Sequence, residues 1–126
     1  MSGPIAITLP LPPSANRMWR VMRGHAVKSS EYRAWKDAAA TAIAHQLAGD
    51  GPMLHFTAAI ILPRTRRDPD NFIKPLLDAM QAGGAIADDK HLQCLVLTVD
   101  HDRSLDSALV QLRHAAAPPK PKRKRA

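Results

Sequence analysis

Hydrophobic positions along the chain fall into strand-like runs and into helical spacings. IAITLP, Ile5 to Pro10, is a short β-branched run closed by prolines and predicts a first strand. The LPLPPSAN that overlaps its end forces an extended, turn-rich path up to Asn16. In MWRVMRGHAVK, strand-like stretches flank Gly24 and predict a small basic hairpin. Tyr32, Trp35, Ala39, Ala42, Ile43 and Leu47 then recur at helical spacing. A helix capped by Ser29 or Ser30 is expected to run to about Ala48, where GDGP ends it.

From Met53 to Leu62 the apolar content is nearly continuous, which predicts a buried strand that Pro63 stops. Beyond Asp70, the residues Phe72, Ile73, Leu76, Leu77 and Met80 share one helical face, and Gly83-Gly84 closes that helix. Proline inside a helix costs about 3 kcal/mol but loses few amide partners in the first turn, so Pro75 places the helix start close to Asp70 or Asn71. HLQCLVLTVD (His91 to Asp100) and SALVQLR (Ser107 to Arg113) predict two further strands, joined by a turn at His101 to Ser104. The expected fold is α/β (α+β), a small domain with a mixed β-sheet packed with two helices and no internal repeat.

A chain of 126 residues is one domain's worth of sequence, able to bury roughly two thirds of its unfolded surface. Hydrophobic residues make up 45% of it but aromatic residues only 4%, so Ala, Leu, Ile and Val must build the core. No apolar run approaches the roughly 20 residues that span a bilayer, and the start lacks the pattern of a signal peptide, so a cytoplasmic protein is expected. The lone Cys94 excludes an intrachain disulfide. It lies near His91 and His101, but a core role is expected for it rather than a metal trio.

The net charge of +7 divides unevenly. Lys120, Lys122, Arg123, Lys124 and Arg125 carry five of the seven charges, which leaves +2 for the body. Residues 1–115 therefore read as the folded domain and 116–126 as a disordered basic Pro/Lys/Arg tail. Within the body, Arg17, Arg20, Arg23 and Lys28 form one basic cluster and Arg64, Arg66 and Arg67 another, both suited to phosphate. Trp35 sits on the apolar helix face and reads as core, whereas for Trp19, amid Arg17 and Arg20, stacking on bases is the less favoured of two readings.

The stretch RTRRDPDNFIKPLLDAM concentrates acid and base. Alone, Asp68 and Asp70 fit a helix-capping role at an Asp-Pro start, and Asp88-Asp89 fit a turn before the next strand. Together they suggest more. Residues two apart on an extended strand end project to the same side, and the intervening helix returns the chain to Asp88-Asp89 just after Gly83-Gly84. Converging carboxylates repel one another unless a cation joins them, and hard oxygen ligands suit Mg²⁺. Arg64, Arg66, Arg67 and Lys74 would then face phosphate, an arrangement for metal-dependent phosphodiester hydrolysis.

RRDPDNFIKPLLDAM followed by GGAIADDKHL resembles the RusA-type Holliday junction resolvases, as does LPPSANRMWR near the start, and the likeness covers most of residues 5–113. Its core is Asp-x-Asp-Asn-x-x-Lys, then Asp-Ala, then glycine and an Asp-Asp pair, in order. The resemblance implies a Mg²⁺-dependent homodimer, with Mn²⁺ as a substitute, that cuts branched DNA symmetrically across a four-way junction. It places the metal-binding acids at Asp68, Asp70 and Asp89 and the essential lysine at Lys74, with Asp89 favoured over Asp88. Asn16, Arg17, Arg20, Arg23, Lys28, Arg64, Arg66 and Arg67 are the expected DNA contacts, and Asn71 a supporting residue. Pro69 and Pro75 stiffen the motif, and the tail after Ala117 has no part in the family pattern. Two other readings stand beside it: a non-enzymatic basic DNA-binding module, and a metal-dependent nuclease for flaps or forks.

Overall fold

The computed structural model describes residues 3–13, 19–22, 25–103 and 106–119, with 19–22 and 25–28 as backbone only. Strand β1 (Ile5–Pro10) opens the chain, and β2 (Trp19–Met22) and β3 (His25–Lys28) form the separate antiparallel hairpin. Helix α1 spans Ser30–Leu47, β4 Phe56–Pro63, α2 Ile73–Ala82, β5 Leu92–Asp100 and β6 Ser107–His114. The main sheet is mixed, in the order β1-β6-β4-β5: β4 and β5 run parallel, and the other two pairings are antiparallel. A parallel pair needs a crossover, and α2 supplies it.

Alternation along the strands decides which sheet face is the core. Ile5, Ile7 and Leu9 of β1, Phe56, Ala58, Ile60 and Leu62 of β4, and Ala108, Val110 and Leu112 of β6 are buried while their neighbours in sequence are more exposed, except at Pro63, which is buried beside Leu62. The buried set packs with Ala39, Ile43 and Leu47 of α1 and Leu76, Leu77 and Met80 of α2. Helices thus cover one face only. The continuous apolar run of β4 predicted burial on both faces, but Thr57, Ala59 and Ile61 are half-buried on the face without helices. Cys94 is the clearest correction. It is exposed, because β5 is an edge strand and Cys94 and Val96 share the uncovered side with Thr57 and Ala59.

Ser29 is the cap of α1, its side chain accepting from Tyr32 N at 3.1 Å, and Ala48 closes the helix in the left-handed region. Trp35 packs on the core and donates its indole N–H to the Pro10 carbonyl at 3.0 Å, pinning α1 to the end of β1. The helices approach closely at Gly83, where an added Cβ would stand 2.7 Å from the Ile43 side chain. The segments that follow the two helices then pair: Met53 N donates to Ala85 O and Ala87 N to Met53 O, both at 2.9 Å. Met53 therefore belongs to this bridge, and β4 begins later, at Phe56. This bridge fixes where the chain re-enters the site after α2.

Candidate active site

Pro63 ends β4, and the basic loop that follows is folded by local bonds, with Arg67 N donating to Thr65 Oγ1 at 3.1 Å. Arg64 and Arg66 are exposed. Arg67 is half-buried: its Nη1 donates to the Pro12 carbonyl at 2.7 Å, and its guanidinium carbon lies 4.2 Å from the centre of the Phe72 ring. Burial pulls the Arg67 guanidinium below its ordinary pKa, with Asp106 opposing. Arg67 thereby ties the proline-rich segment after β1 to the acidic turn. Beside it, a cavity of about 280 Å³ opens at the C-terminal ends of β4 and β5, lined in part by Arg64, Arg67, Phe72 and His101.

Asp68 is extended, with φ −64° and ψ 129°, and precedes a single 3₁₀ turn, Pro69–Phe72. Asp70 lies within that turn, so the two acids are not alternate residues of one extended strand as the sequence suggested. The prolines explain the change. Pro69 sits at the first turn position, and Pro75 falls in the first turn of α2, where no intrahelical amide bond is lost. The α-helix consequently starts at Ile73, later than Asp70 or Asn71. Both acids are exposed, and the Asp68 side chain makes no capping hydrogen bond; it is the Asp68 carbonyl that accepts from Asn71 N, at 3.1 Å. The capping reading of Asp68 therefore lacks its defining contact.

Lys74, on the first turn of α2, reaches two carboxylates: Asp78 Oδ1 at 3.0 Å and Asp89 Oδ2 at 2.5 Å. Hydrogen bonds to Asp89 and then Asp78 drive the Lys74 pKa well above its ordinary value. Asp89 and its neighbour divide their tasks. The Asp88 side chain accepts from Lys90 N at 3.0 Å and caps a second 3₁₀ turn, Asp89–His91, while Asp89 faces Lys74. The backbone bond to Lys90 is also the main cause of the lowered Asp88 pKa. Gln81 at the end of α2 steadies the same turn, its Oε1 accepting from Asp89 N at 3.3 Å.

Lys74 and Asp89 are thus brought together, and Asp68 precedes and Asp70 lies within the turn that leads into the helix of Lys74. Asp68, Asp70 and Asp89 offer carboxylate oxygens only, the donor chemistry of a hard divalent cation. Among the described residues, no three His, Cys, Asp or Glu side chains stand close enough together to hold an ion as placed, and Asp89 is engaged by Lys74. His91, Cys94 and His101 have separate surroundings: His91 packs edge-on to His55 at 4.8 Å, Cys94 lies on the open sheet face, and His101 lines the cavity.

Of the expected DNA contacts, Arg64, Arg66 and Arg67 border this region, and Arg20 and Lys28 lie on β2 and β3. Asn16, Arg17, Arg23 and residues 120–126 lie outside the described residues. Among the described residues no helix is long and apolar enough to cross a membrane. Asp78, the acid of the Asp-Ala step in the motif, was given no role from the sequence, although its i,i+4 relation to Lys74 was a usable signal; its second partner, the Tyr32 hydroxyl at 3.4 Å, comes from α1 and had none.

Comparison with known proteins gives the family. The family model for endodeoxyribonuclease RusA matches residues 10–110. A crossover junction endodeoxyribonuclease RusA from Escherichia coli O139:H28 is 36% identical over 88 residues, 68% of this chain and 73% of the relative. Its namesake from Escherichia coli K12 is 37% identical over 87 residues, covering 67% and 72%. The one from Enterobacteria phage 82 is 37% identical over 86 residues, covering 66% and 72%.

Proposed function

The chain belongs to the RusA family of endodeoxyribonucleases, and from that premise we propose that it resolves four-way DNA junctions by Mg²⁺-dependent paired symmetric nicks. We infer a role in DNA recombination and repair in the cytoplasm, performed by a homodimer, since two related strands call for two equivalent sites. The observation that carries the reading is the Lys74–Asp89 pair, its lysine on the helix that follows the turn of two exposed acids, the first of which does no capping.

In this reading Asp68, Asp70 and Asp89 would hold the cation, with Asp89 released from Lys74, and the bound cation would supply an activated water and a polarised phosphate. Lys74, on the first turn of a packed helix, offsets the charge that grows on the scissile phosphate. Arg64 and Arg66 meet the DNA backbone from the loop after β4, while Arg67 keeps that loop docked on Pro12 and Phe72. Asn16, Arg17, Arg20, Arg23 and Lys28 are the further DNA contacts of this reading, with Arg20 and Lys28 on the strands of the hairpin.

The test is incubation of the purified protein with a synthetic four-way junction, a flap and a linear duplex, in Mg²⁺ or in chelator. Paired nicks confined to the junction and to the metal condition are expected. Preferred cutting of the flap would transfer the assignment to other branched DNA, and binding without any cutting would make the protein a DNA-binding module.

A further inference from the structure

We propose that Asp78, held by Tyr32, is a positioning residue that keeps Lys74 at the site when Asp89 turns to a divalent cation. This rests on the reading of Lys74 and Asp89 given above.

Two carboxylates claim one ammonium in the structure: Asp89 Oδ2 at 2.5 Å and Asp78 Oδ1 at 3.0 Å. When Asp89 serves a cation, Lys74 loses its shorter contact and would be repelled by the arriving charge. Its side chain is 69% exposed and ends a flexible four-carbon stem, so a lysine with no second anchor would turn into water. Asp78 is that anchor. It lies one turn further along the same helix, so its distance from the base of Lys74 is set by helix geometry and not by a loop.

The two oxygens of Asp78 are separately engaged. Oδ1 faces Lys74, while Oδ2 accepts from the Tyr32 hydroxyl at 3.4 Å, and the Asp78 side chain is only 19% exposed. Tyr32 is itself fixed. It is fully buried, its backbone N–H is held by the Ser29 cap of α1, and its ring packs against Trp35 at 5.8 Å. The first turn of α1 is thereby connected through Tyr32 and Asp78 to Lys74. As a helix-stabilising pair, lysine preceding aspartate is the less favourable order. A purely structural role for the contact would therefore be small.

The test uses the full-length chain. Reaction of Lys74 with an N-hydroxysuccinimide ester is read by peptide mass spectrometry in Mg²⁺ or chelator, and single-turnover cleavage of a four-way junction is read at saturating protein. In the wild type, Lys74 labelling should stay low in both conditions. In Asp78→Asn it should rise severalfold on adding Mg²⁺, with cleavage slowed about tenfold and junction affinity kept within about twofold. Tyr32→Phe should follow the same pattern at about threefold, and combined with Asp78→Asn should add nothing, since both act through one carboxylate. Should Asp78→Asn fail to fold, Tyr32→Phe is judged by the same two measurements. Labelling of Asp78→Asn that ignores Mg²⁺, or its cleavage at the wild-type rate, overturns the proposal while leaving Lys74 catalytic. Wild-type cleavage by Lys74→Met would instead remove the reading beneath it.

Discussion

Lys74 Nζ stands 2.5 Å from Asp89 Oδ2 across a sequence separation of 15, which makes the α2 crossover the device that brings the two together. The ammonium is mostly exposed, so the contact contributes little to folding, on the order of 1 kcal/mol or less after solvent screening. Lys74→Met is accordingly expected to melt within a few degrees of the wild type and to bind a junction normally. Its single-turnover cleavage should fall by about a hundredfold or more, as when an electrostatic partner of a reacting phosphate is removed. Gel-shift and cleavage assays on one preparation check both halves.

Asp70→Asn separates capping from catalysis. The side chain is exposed and sits in a short 3₁₀ turn, so the amide should alter stability by no more than about 1 kcal/mol. As a cation ligand, by contrast, Asp70 supplies anionic charge that asparagine lacks. Cleavage should be abolished while junction binding persists or strengthens, because the arginines then meet less repulsion. A folded variant that still nicks junctions at the wild-type rate would return Asp70 to a structural role.

The elements that were legible in the sequence are those whose signals are local. The apolar spacing from Tyr32 to Leu47 and the serine before it give α1 and its cap, and Gly83-Gly84 ends α2 as its pattern implies. The start of α2 was less legible, because Pro69 and Pro75 both suit a first turn and the chain satisfies them in succession with a 3₁₀ turn and then an α-helix. Cys94 was misplaced because alternation shows that a strand has two sides but not which side the helices cover. Asp68, Lys74 and Asp89 could be singled out from motif order, whereas the Tyr32–Asp78 contact depends on how α1 packs on α2, which no local pattern encodes.

Gly83 tests that packing directly. A methyl group there would lie 2.7 Å from Ile43 Cβ and Cγ2 and 3.0 Å from the Ala40 carbonyl, and the backbone oxygen cannot swing aside. Gly83→Ala should therefore destabilise the fold by about 1–3 kcal/mol, outweighing the gain of a better helix former. Urea unfolding should show a lower midpoint with an unchanged slope. Ile43→Val in the Gly83→Ala background leaves the Cβ and Cγ2 contacts in place, so it should restore little.

Tyr32 reports on the junction between the helices through its own ionisation. Burial first, and the neighbouring Asp78 charge second, push its pKa up to about 12. Below about pH 10 the phenol is protonated in both folded and unfolded chains and its contribution to stability is complete. Between about pH 10 and 12 the unfolded chain releases the proton and the folded one retains it, so stability falls as pH rises. Tyr32 is the single tyrosine, and phenolate absorbance reads it without ambiguity. Asp78→Asn should lower the apparent pKa yet leave it above about 10, since the burial remains.

The basic tail is expected to set affinity and not chemistry. Lys120, Lys122, Arg123, Lys124 and Arg125 carry five positive charges beyond the last strand, and the family match ends at residue 110. If each neutralises one phosphate, the tail releases that many counterions and steepens the log-log salt dependence of junction binding by roughly 4 to 5. Deleting residues 118–126 should therefore weaken binding most at low salt, and the two proteins should converge as salt rises. Preference for the four-way junction over linear duplex should change little, because backbone charge is common to both. At saturating protein the truncated chain should cleave at the full rate. Loss of metal-dependent cleavage under that condition would place part of the active site in the tail.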